Sequence, residues 1–298
     1  MPAEVERCTA LSLALGEPLI GTASTVPNWI MLEHPGPWGP DALRAGRLPP
    51  ELAARLRTLD RQFGVRVVLI RRHGRRVSEG RRVRCFVAHT GPGRPWLERL
   101  TLTSHAELLD FDLSPMDWSV PPGLGEAAGG PLYLVCTHGR RDPCCAERGR
   151  PLARALGAAY EDGLWESSHI GGDRFAGNLV CFPHGIYLGR LDPEAGVAAA
   201  RAYEAGAVDL DHYRGRSCYS FPVQAAESLL RRREGLTGVD DLRLIRIRRP
   251  AADVVEATFE ARGGRRHTES VRISLADPPR PLTCHVRGPV RPPAYSEL

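Results

Sequence analysis

The chain has 298 residues, of which 42% are hydrophobic and 25% are charged, and its formal net charge is +5. These values are typical of a folded protein and exclude a disordered, collagen-like or coiled-coil chain. No apolar run reaches the length of about eighteen residues that a membrane-spanning helix needs, so no membrane association is predicted. The length favours more than one domain.

The first residues lack the basic start and the small-residue cleavage site of a secretory signal, which predicts a cytoplasmic protein. In that compartment the eight cysteines are expected to be free, metal-bound or catalytic rather than paired in disulfides. Three arginines near the C-terminus, Arg246, Arg248 and Arg249, have few aromatic neighbours. They predict a solvated strand face, and nucleic-acid binding is not expected.

Residues 1–125 are predicted to form an N-terminal α/β domain. An apolar strand over 28–32 is followed by a helix over 49–63, whose leucines recur at helical spacing. Three further strands are predicted over residues 65–70, 82–89 and 97–102. A strand–helix–strand order with additional strands is typical of a mixed sheet.

A Pro- and Gly-rich segment over residues 121–130 predicts a boundary, and the second domain covers residues 131–236. Its predicted elements are strands over 131–136 and 164–168, helices over 143–157, 193–206 and 221–234, and a hairpin over 177–191. Strand, helix, strand, hairpin and helix follow one another in the order expected of a thioredoxin-like domain.

Residues 240–298 predict a small antiparallel β appendix. Four strands separated by Gly- or Pro-bearing turns are predicted over residues 242–247, 254–259, 267–273 and 282–286. The last residues, 289–298, are predicted to be frayed.

Two cysteines of the second domain, Cys136 and Cys145, lie at the end of its first strand and at the start of its first helix. A helix N-terminus and nearby arginines stabilise the thiolate, which is the form that binds metal. His169 and Asp173 lie on either side of a Gly-Gly pair. Because glycines permit a tight turn and a close approach to a cofactor, both flanking side chains can face the same point.

The spacing Cys-x8-Cys followed by His-x-Gly-Gly resembles the sucrase/ferredoxin-like family, which are thioredoxin-fold ferredoxins that include bis-histidinyl [2Fe-2S] proteins. The resemblance covers most of the chain. It extends to Thr137-His138-Gly139, Arg141-Asp142, Arg174-Phe175-Ala176, Pro183-His184-Gly185, Gly21-Thr22-Ala23 and Gly36-Pro37-Trp38-Gly39. It implies a thioredoxin-like ferredoxin domain with a [2Fe-2S] cluster on Cys136, Cys145 and His169.

The chain departs from the bis-histidinyl pattern at one position, where Asp173 replaces the second histidine. Asp173 is therefore implied as the fourth ligand by its position alone. An ion pair between Arg174 and Asp173 would instead leave His169 without a partner ligand. A spacing does not fix coordination, and the other candidates for the fourth ligand are His138, His184, Cys144 and Cys181.

These features predict a soluble electron carrier with a [2Fe-2S] cluster and an unidentified redox partner protein. The sequence shows no substrate pocket, so a redox carrier is favoured over a catalyst. Three alternatives stay open: a thiol–disulfide oxidoreductase, a zinc site on the same residues, and an interaction module without a cluster. The first lacks the usual Cys-x-x-Cys motif. Cys85, Cys218 and Cys284 are predicted to be packing residues.

Overall fold

The computed structural model describes residues 7–75, 82–113, 118–285 and 288–298. Residues 1–6, on which the expectation about a secretory signal depends, lie outside this part. Within the described residues, ten strands form one mixed sheet and four form a separate antiparallel sheet. The predicted α/β class with a C-terminal β appendix is confirmed. No helix in these ranges has the length and apolar character that a membrane span requires.

The first element of the N-terminal half is a short helix, α1 (Cys8–Ala14). Its other elements are β1 (Asn28–Glu33), α2 (Ala42–Ala45), α3 (Pro50–Gln62), β2 (Val65–Arg71), β3 (Val83–His89) and β4 (Trp96–Leu102). Strand β1 is parallel to β2 and antiparallel to β3, which is antiparallel to β4. Helix α3 has a proline in its first turn and buries Leu52, Leu56 and Leu59 against one face of the sheet.

The second half begins where β5 (Glu126–Ala127) ends. Its elements are β6 (Leu132–Cys136), α4 (Pro143–Ala159), β7 (Leu164–Ser167), β8 (Leu179–Phe182), β9 (Ile186–Leu188), α5 (Pro193–Glu204), β10 (Tyr213–Arg216) and α6 (Phe221–Glu234). Strand β6 is parallel to β7 and antiparallel to β8, and β8 is antiparallel to β9. This arrangement is thioredoxin-like, with a short 3-10 helix, Asp173–Phe175, between β7 and β8.

The two halves have the same strand order. The order β4-β3-β1-β2 matches β9-β8-β6-β7. The last strands of these two orders, β2 and β7, pair with each other in antiparallel fashion, with Ile70 opposite Ser167 and Arg71 opposite Glu166. One sheet therefore runs through two similarly built halves that meet edge to edge. The predicted division into residues 1–125 and 131–236 stays a prediction, with both parts contributing to this sheet.

The C-terminal sheet contains β11 (Leu242–Ala251), β12 (Val254–Ala261), β13 (Arg266–Leu275) and β14 (Pro293–Glu297). The prediction of a fourth strand over 282–286 was wrong: residues 282–285 form bends, and Val286 lies outside the described residues. The fourth strand is instead formed by residues 293–297, within the segment that was predicted to be frayed. Tyr295 pairs with Ile273 and packs on the core between α6 and the sheet, which holds the tail in place.

Candidate metal centre

Cys136 is the last residue of β6 and Cys145 is the third residue of α4. Asp142 caps this helix by accepting a hydrogen bond of 2.9 Å from the Cys144 backbone N–H, and a proline follows at the first helical position. The helix approaches the strand end closely at Gly149, where an added Cβ would lie 2.0 Å from the carbonyl oxygen of Cys136. This close approach brings the two cysteines to one point.

The glycine pair shapes the loop that carries His169 and Asp173. Gly171 and Gly172 have φ angles of 95° and 80°, which L side chains rarely adopt. A Cβ on Gly172 would lie 2.2 Å from the guanidinium of Arg214, so the turn also needs the space that glycine leaves. The loop thereby turns back on itself between the histidine and the aspartate.

The structure brings all four predicted site residues together. The ligand atoms of Cys136, Cys145 and His169 lie within 4.8 Å of one another. The Cys145 thiol lies 3.1 Å from Oδ1 of Asp173 and donates to it. The same oxygen lies 3.0 Å from Nδ1 of His169. The sequence placed these residues correctly at the ends of their elements, and the fold confirms that they converge.

One atom of this group is a buried polar atom without a hydrogen bond. Within the described part of the chain, Nδ1 of His169 has no hydrogen-bonding partner, because its 3.0 Å approach to Asp173 does not have hydrogen-bond geometry. Buried polar groups normally have partners, and a bound ion is one explanation of an exception. Two thiols, an imidazole and a carboxylate suit zinc or an iron–sulfur cluster far better than magnesium or calcium. The residues therefore fit a metal cofactor.

The charges of the four groups are linked. The neighbouring Cys145 thiol and the His169 imidazole hold the pKa of the Cys136 thiol well below its ordinary value, although burial opposes this. The nearby Cys136 sulfur and burial raise the pKa of Cys145. Burial alone would lower the pKa of His169, but the Asp173 carboxylate and Cys136 raise it to about 9. One thiolate is thus ready to bind metal, and a metal would displace the remaining protons.

Two alternative ligands lie beside the site, but their atoms have other contacts. His138 Nε2 lies 2.6 Å from the carbonyl oxygen of Gly39, and its Nδ1 accepts a hydrogen bond of 3.1 Å from the backbone N–H of His169. With both ring nitrogens used, His138 positions the loop that carries His169. Cys144 points away from Cys145 and lies 3.6 Å from the sulfur of Cys8.

The other two alternatives lie elsewhere. Cys181, on β8, packs with Tyr133 and Val135 on the face of the sheet opposite to Cys136. His184 Nδ1 lies 2.6 Å from the hydroxyl oxygen of Tyr203. Neither belongs to the group around Cys136.

The Arg174–Asp173 ion pair that would have weakened the ligand assignment does not form. Arg174 donates instead to Glu17, with a distance of 2.9 Å between Nε and Oε1. Asp173 therefore keeps its carboxylate for Cys145 and His169.

The sequence did not indicate two residues, Arg214 and Asn178, that hold the glycine turn in place through hydrogen bonds. Arg214, on β10, is fully buried and donates to the carbonyl oxygen of Gly171 at 3.3 Å and to Oδ1 of Asn178 at 2.7 Å. Asn178 in turn donates to the carbonyl oxygen of Gly172 at 2.8 Å. Burial lowers the pKa of Arg214 to about 10. The Tyr-Arg-Gly-Arg segment resembles a polar loop, so its sequence carried no signal for a buried strand.

The site opens to solvent on the side of His169. A cavity of about 430 Å³ lies between the N-terminal half and the site, and its lining includes Arg66, His138, Arg141 and His169. The His169 side chain is 24% exposed, whereas the side chains of both cysteines are buried. The imidazole is therefore the part of the site that a molecule entering this cavity would meet first.

The site can now be compared with known proteins. "Altered inheritance of mitochondria protein 32" of Meyerozyma guilliermondii is 32% identical over 96 residues, which is 28% of this chain and 34% of that protein. The chain thus matches about a third of the length of this relative. A crystal structure of a serine variant of the thioredoxin-like [2Fe-2S] ferredoxin from Aquifex aeolicus shares 16% identity. The structural match covers 29% of this chain and 100% of the ferredoxin chain, with a TM-score of 0.27.

The family comparison covers a larger part of the chain. The model of the sucrase/ferredoxin-like family matches residues 19–215, a range that runs from ahead of β1 to the middle of β10. It includes Cys136, Cys145, His169 and Asp173, as well as the supporting Arg214. The chain therefore belongs to the sucrase/ferredoxin-like family.

Proposed function

We propose that this protein transfers electrons through a [2Fe-2S] cluster held by Cys136, Cys145, His169 and Asp173. The observation that carries the proposal is the meeting of two buried sulfurs with a buried imidazole nitrogen that has no hydrogen-bonding partner. Clusters of this type accept cysteine thiolates together with histidine nitrogens. When bound, the cluster would supply one-electron redox chemistry. The protein residues hold it, exclude water from its sulfur side and set its charge.

The mixed ligand set has a consequence for the potential. Replacing two thiolates by two histidines raises the potential of a [2Fe-2S] cluster. Asp173 keeps a negative charge where the bis-histidinyl pattern has a neutral imidazole. We therefore expect a potential below that of a bis-histidinyl site in the same fold.

Burial suggests where electrons enter and leave. Cys136 and Cys145 are about 1% exposed, whereas the side chain of His169 is 24% exposed and lines the cavity of about 430 Å³. A redox partner protein would therefore approach from the cavity side and exchange electrons through the imidazole edge.

A zinc site on the same four residues is the second candidate. It is favoured by the compactness of the group, because ligand atoms within 4.8 Å of one another also suit a single tetrahedral ion.

A thiol–disulfide oxidoreductase is disfavoured, since both cysteines are buried and a protein disulfide could not reach them.

The test is the composition of protein purified without oxygen. We expect a red-brown protein with about two iron and two acid-labile sulfide per chain. Cys145→Ser should lose both, and Cys181→Ser, at a buried cysteine outside the group, should keep both. Protein without sulfide, whose zinc is lost in Cys145→Ser and kept in Cys181→Ser, would support the second candidate and overturn the first.

A further inference from the structure

We infer that the chain has a second metal site, formed by Cys8, Cys144 and Cys284 with Asp142, that takes a single soft divalent cation of the zinc type. The four ligand atoms lie within 4.8 Å of one another. The sulfur of Cys144 lies 3.6 Å from that of Cys8 and 3.5 Å from that of Cys284. The site is separate from the centre proposed above and does not depend on it.

The spacing of the sulfurs suits ligands around one ion. A zinc–thiolate bond is about 2.3 Å long and the geometry is tetrahedral, so two sulfurs on one zinc ion lie about 3.8 Å apart. The observed separations of 3.5 and 3.6 Å are close to this value. A disulfide would require about 2.05 Å.

The composition of the cluster also indicates a metal rather than packing. Cys8, Cys144 and Ala176 form a buried cluster of their own, with Cys284 packed against it. A single buried cysteine is a common packing residue, but a group of three around one carboxylate is not explained by packing. Here three sulfurs surround a buried carboxylate, since the Cys8 thiol lies 3.9 Å from the nearer oxygen of Asp142. Soft thiolates with one carboxylate form a ligand set that zinc accepts.

The backbone fixes the carboxylate in this position. Oδ1 of Asp142 accepts the N–H of Cys144 at 2.9 Å, and Oδ2 accepts the N–H of Cys284 at 2.7 Å. Each oxygen keeps a lone pair for an ion. The sulfurs have donors as well: the backbone N–H of Cys8 lies 3.4 Å from Sγ of Cys284, and the Thr9 hydroxyl lies 3.4 Å from Sγ of Cys144. Donors that orient ligand atoms are a regular feature of metal sites.

An ion at this point would join three distant parts of the chain. Cys8 belongs to α1, Cys144 to the start of α4, and Cys284 to the segment that precedes β14. Cys8 and Cys284 are 276 residues apart in sequence. Glu17 makes a similar link, because its carboxylate pairs with Arg174 of the 3-10 helix at 2.9 Å and with Arg280 at 3.0 Å. The ion would therefore fasten both ends of the described chain beside the first centre.

The experiment uses the full chain, purified without oxygen, and measures zinc, iron and sulfide together. We expect about one zinc per chain in the wild type. Cys284→Ser should lower zinc by roughly tenfold or more because a thiolate ligand is removed. Its iron and sulfide should stay unchanged. Cys136→Ser should do the opposite and lose iron and sulfide while it keeps zinc. Cys218→Ser, at a half-buried cysteine outside both groups, is the matched control and should keep all three.

Circular dichroism of each variant shows that a loss of zinc is not a loss of fold, and Cys8→Ser provides a second ligand variant. Cobalt loading should give thiolate-to-cobalt charge-transfer absorption that Cys284→Ser abolishes. Zinc that survives Cys284→Ser, or that is lost only in Cys136→Ser, would overturn the inference. Wild-type protein without zinc would also overturn it. The same holds if fewer than all eight cysteines react as thiols after the protein is unfolded in chelator without reductant, because the missing thiols would then be paired in disulfides.

Discussion

Cys144 and Cys145 are neighbours in sequence, yet their sulfurs enter two different side-chain groups. The sulfur of Cys145 lies 3.1 Å from Asp173, whereas the sulfur of Cys144 lies 3.5 Å from Cys284. Adjacent residues of a helix project about 100° apart around its axis, so one sulfur faces the sheet side and the other faces α1. The start of α4 thereby serves two candidate metal centres at once.

The first prediction concerns the identity of the fourth ligand. Replacing Asp173 by His exchanges an anionic ligand for a neutral one, so the cluster should remain and its reduction potential should rise by an amount on the order of 100 mV. Asp173→Ala should bleach the protein or alter its visible spectrum strongly. A redox titration of the purified variants measures both effects. An unchanged potential in Asp173→His would remove Asp173 from the ligand set.

The second prediction separates a ligand from a positioning residue. His169→Ala should lose the cluster spectrum because it removes a ligand. His138→Ala should keep the spectrum and weaken cluster retention, since it removes the acceptor for the His169 backbone N–H and the contact with Gly39 but no ligand. His184→Ala, at a histidine bonded to Tyr203, is the control and should behave as wild type. If His138→Ala bleaches the protein completely and His169→Ala does not, the assignment of the two histidines is reversed.

The third prediction tests the glycine turn with a matched pair of substitutions. Gly172 and Gly206 have φ angles of 80° and 77°, but only Gly172 has atoms within 4 Å of an added Cβ. Gly206→Ala should cost about 1 kcal/mol of folding free energy, which is the left-handed backbone penalty. Gly172→Ala should cost several-fold more and reduce cluster content, because the methyl group meets the Arg214 guanidinium. Chemical denaturation and iron analysis measure the two effects, and equal costs would show that the close contact is unimportant.

The fourth prediction concerns the dependence of stability on pH. Burial alone would raise the pKa of Glu227, but the charges of Arg231 and Arg216 outweigh it and hold the pKa below its ordinary value. The carboxylate therefore stabilises the fold fully above its unfolded-state pKa of about 4.3, and this contribution is lost as the pH falls through the lower folded-state pKa.

Glu227→Gln should accordingly lose about 3–5 kcal/mol at neutral pH, because it leaves two buried arginines without their carboxylate. The difference in Tm from wild type should shrink below pH 4 or so, where wild type loses the same charge. Thermal melts across pH measure this. A Tm difference that stays constant down to acid pH would contradict the assigned role of Glu227.

The sequence predicted most of the second half well, because each element there has a local signal. The apolar run that ends at Cys136, the helical pattern over 143–157 and the Gly-Gly pair each indicate one structure, and the fold has them as expected. The same local signals placed Cys136 and Cys145 at a strand end and a helix start. The convergence of the site follows from those two placements.

The parts that were missed depend on contacts between distant residues. Strand β10 looks polar, but Arg214 is buried against oxygens of Thr22, Gly171 and Asn178, which lie far away in sequence. Arg216 is buried against the Glu227 carboxylate of the following helix. Strand β14 forms at the sheet edge because Tyr295 reaches a core built by other elements. Cys284 was predicted to be a packing residue, and nothing near it in sequence points to Cys8. The repeated strand order of the two halves has no counterpart in their local patterns.

The measurement that tests the central claim most directly is electron paramagnetic resonance of the reduced protein, with detection of nitrogen hyperfine coupling. A [2Fe-2S] cluster on two cysteines, one histidine and one aspartate should give an unpaired-electron signal coupled to the nitrogen of one imidazole, and His169→Ala should remove that coupling or the signal itself. A protein that gives no iron signal after reduction, or whose nitrogen coupling survives His169→Ala, would contradict the account.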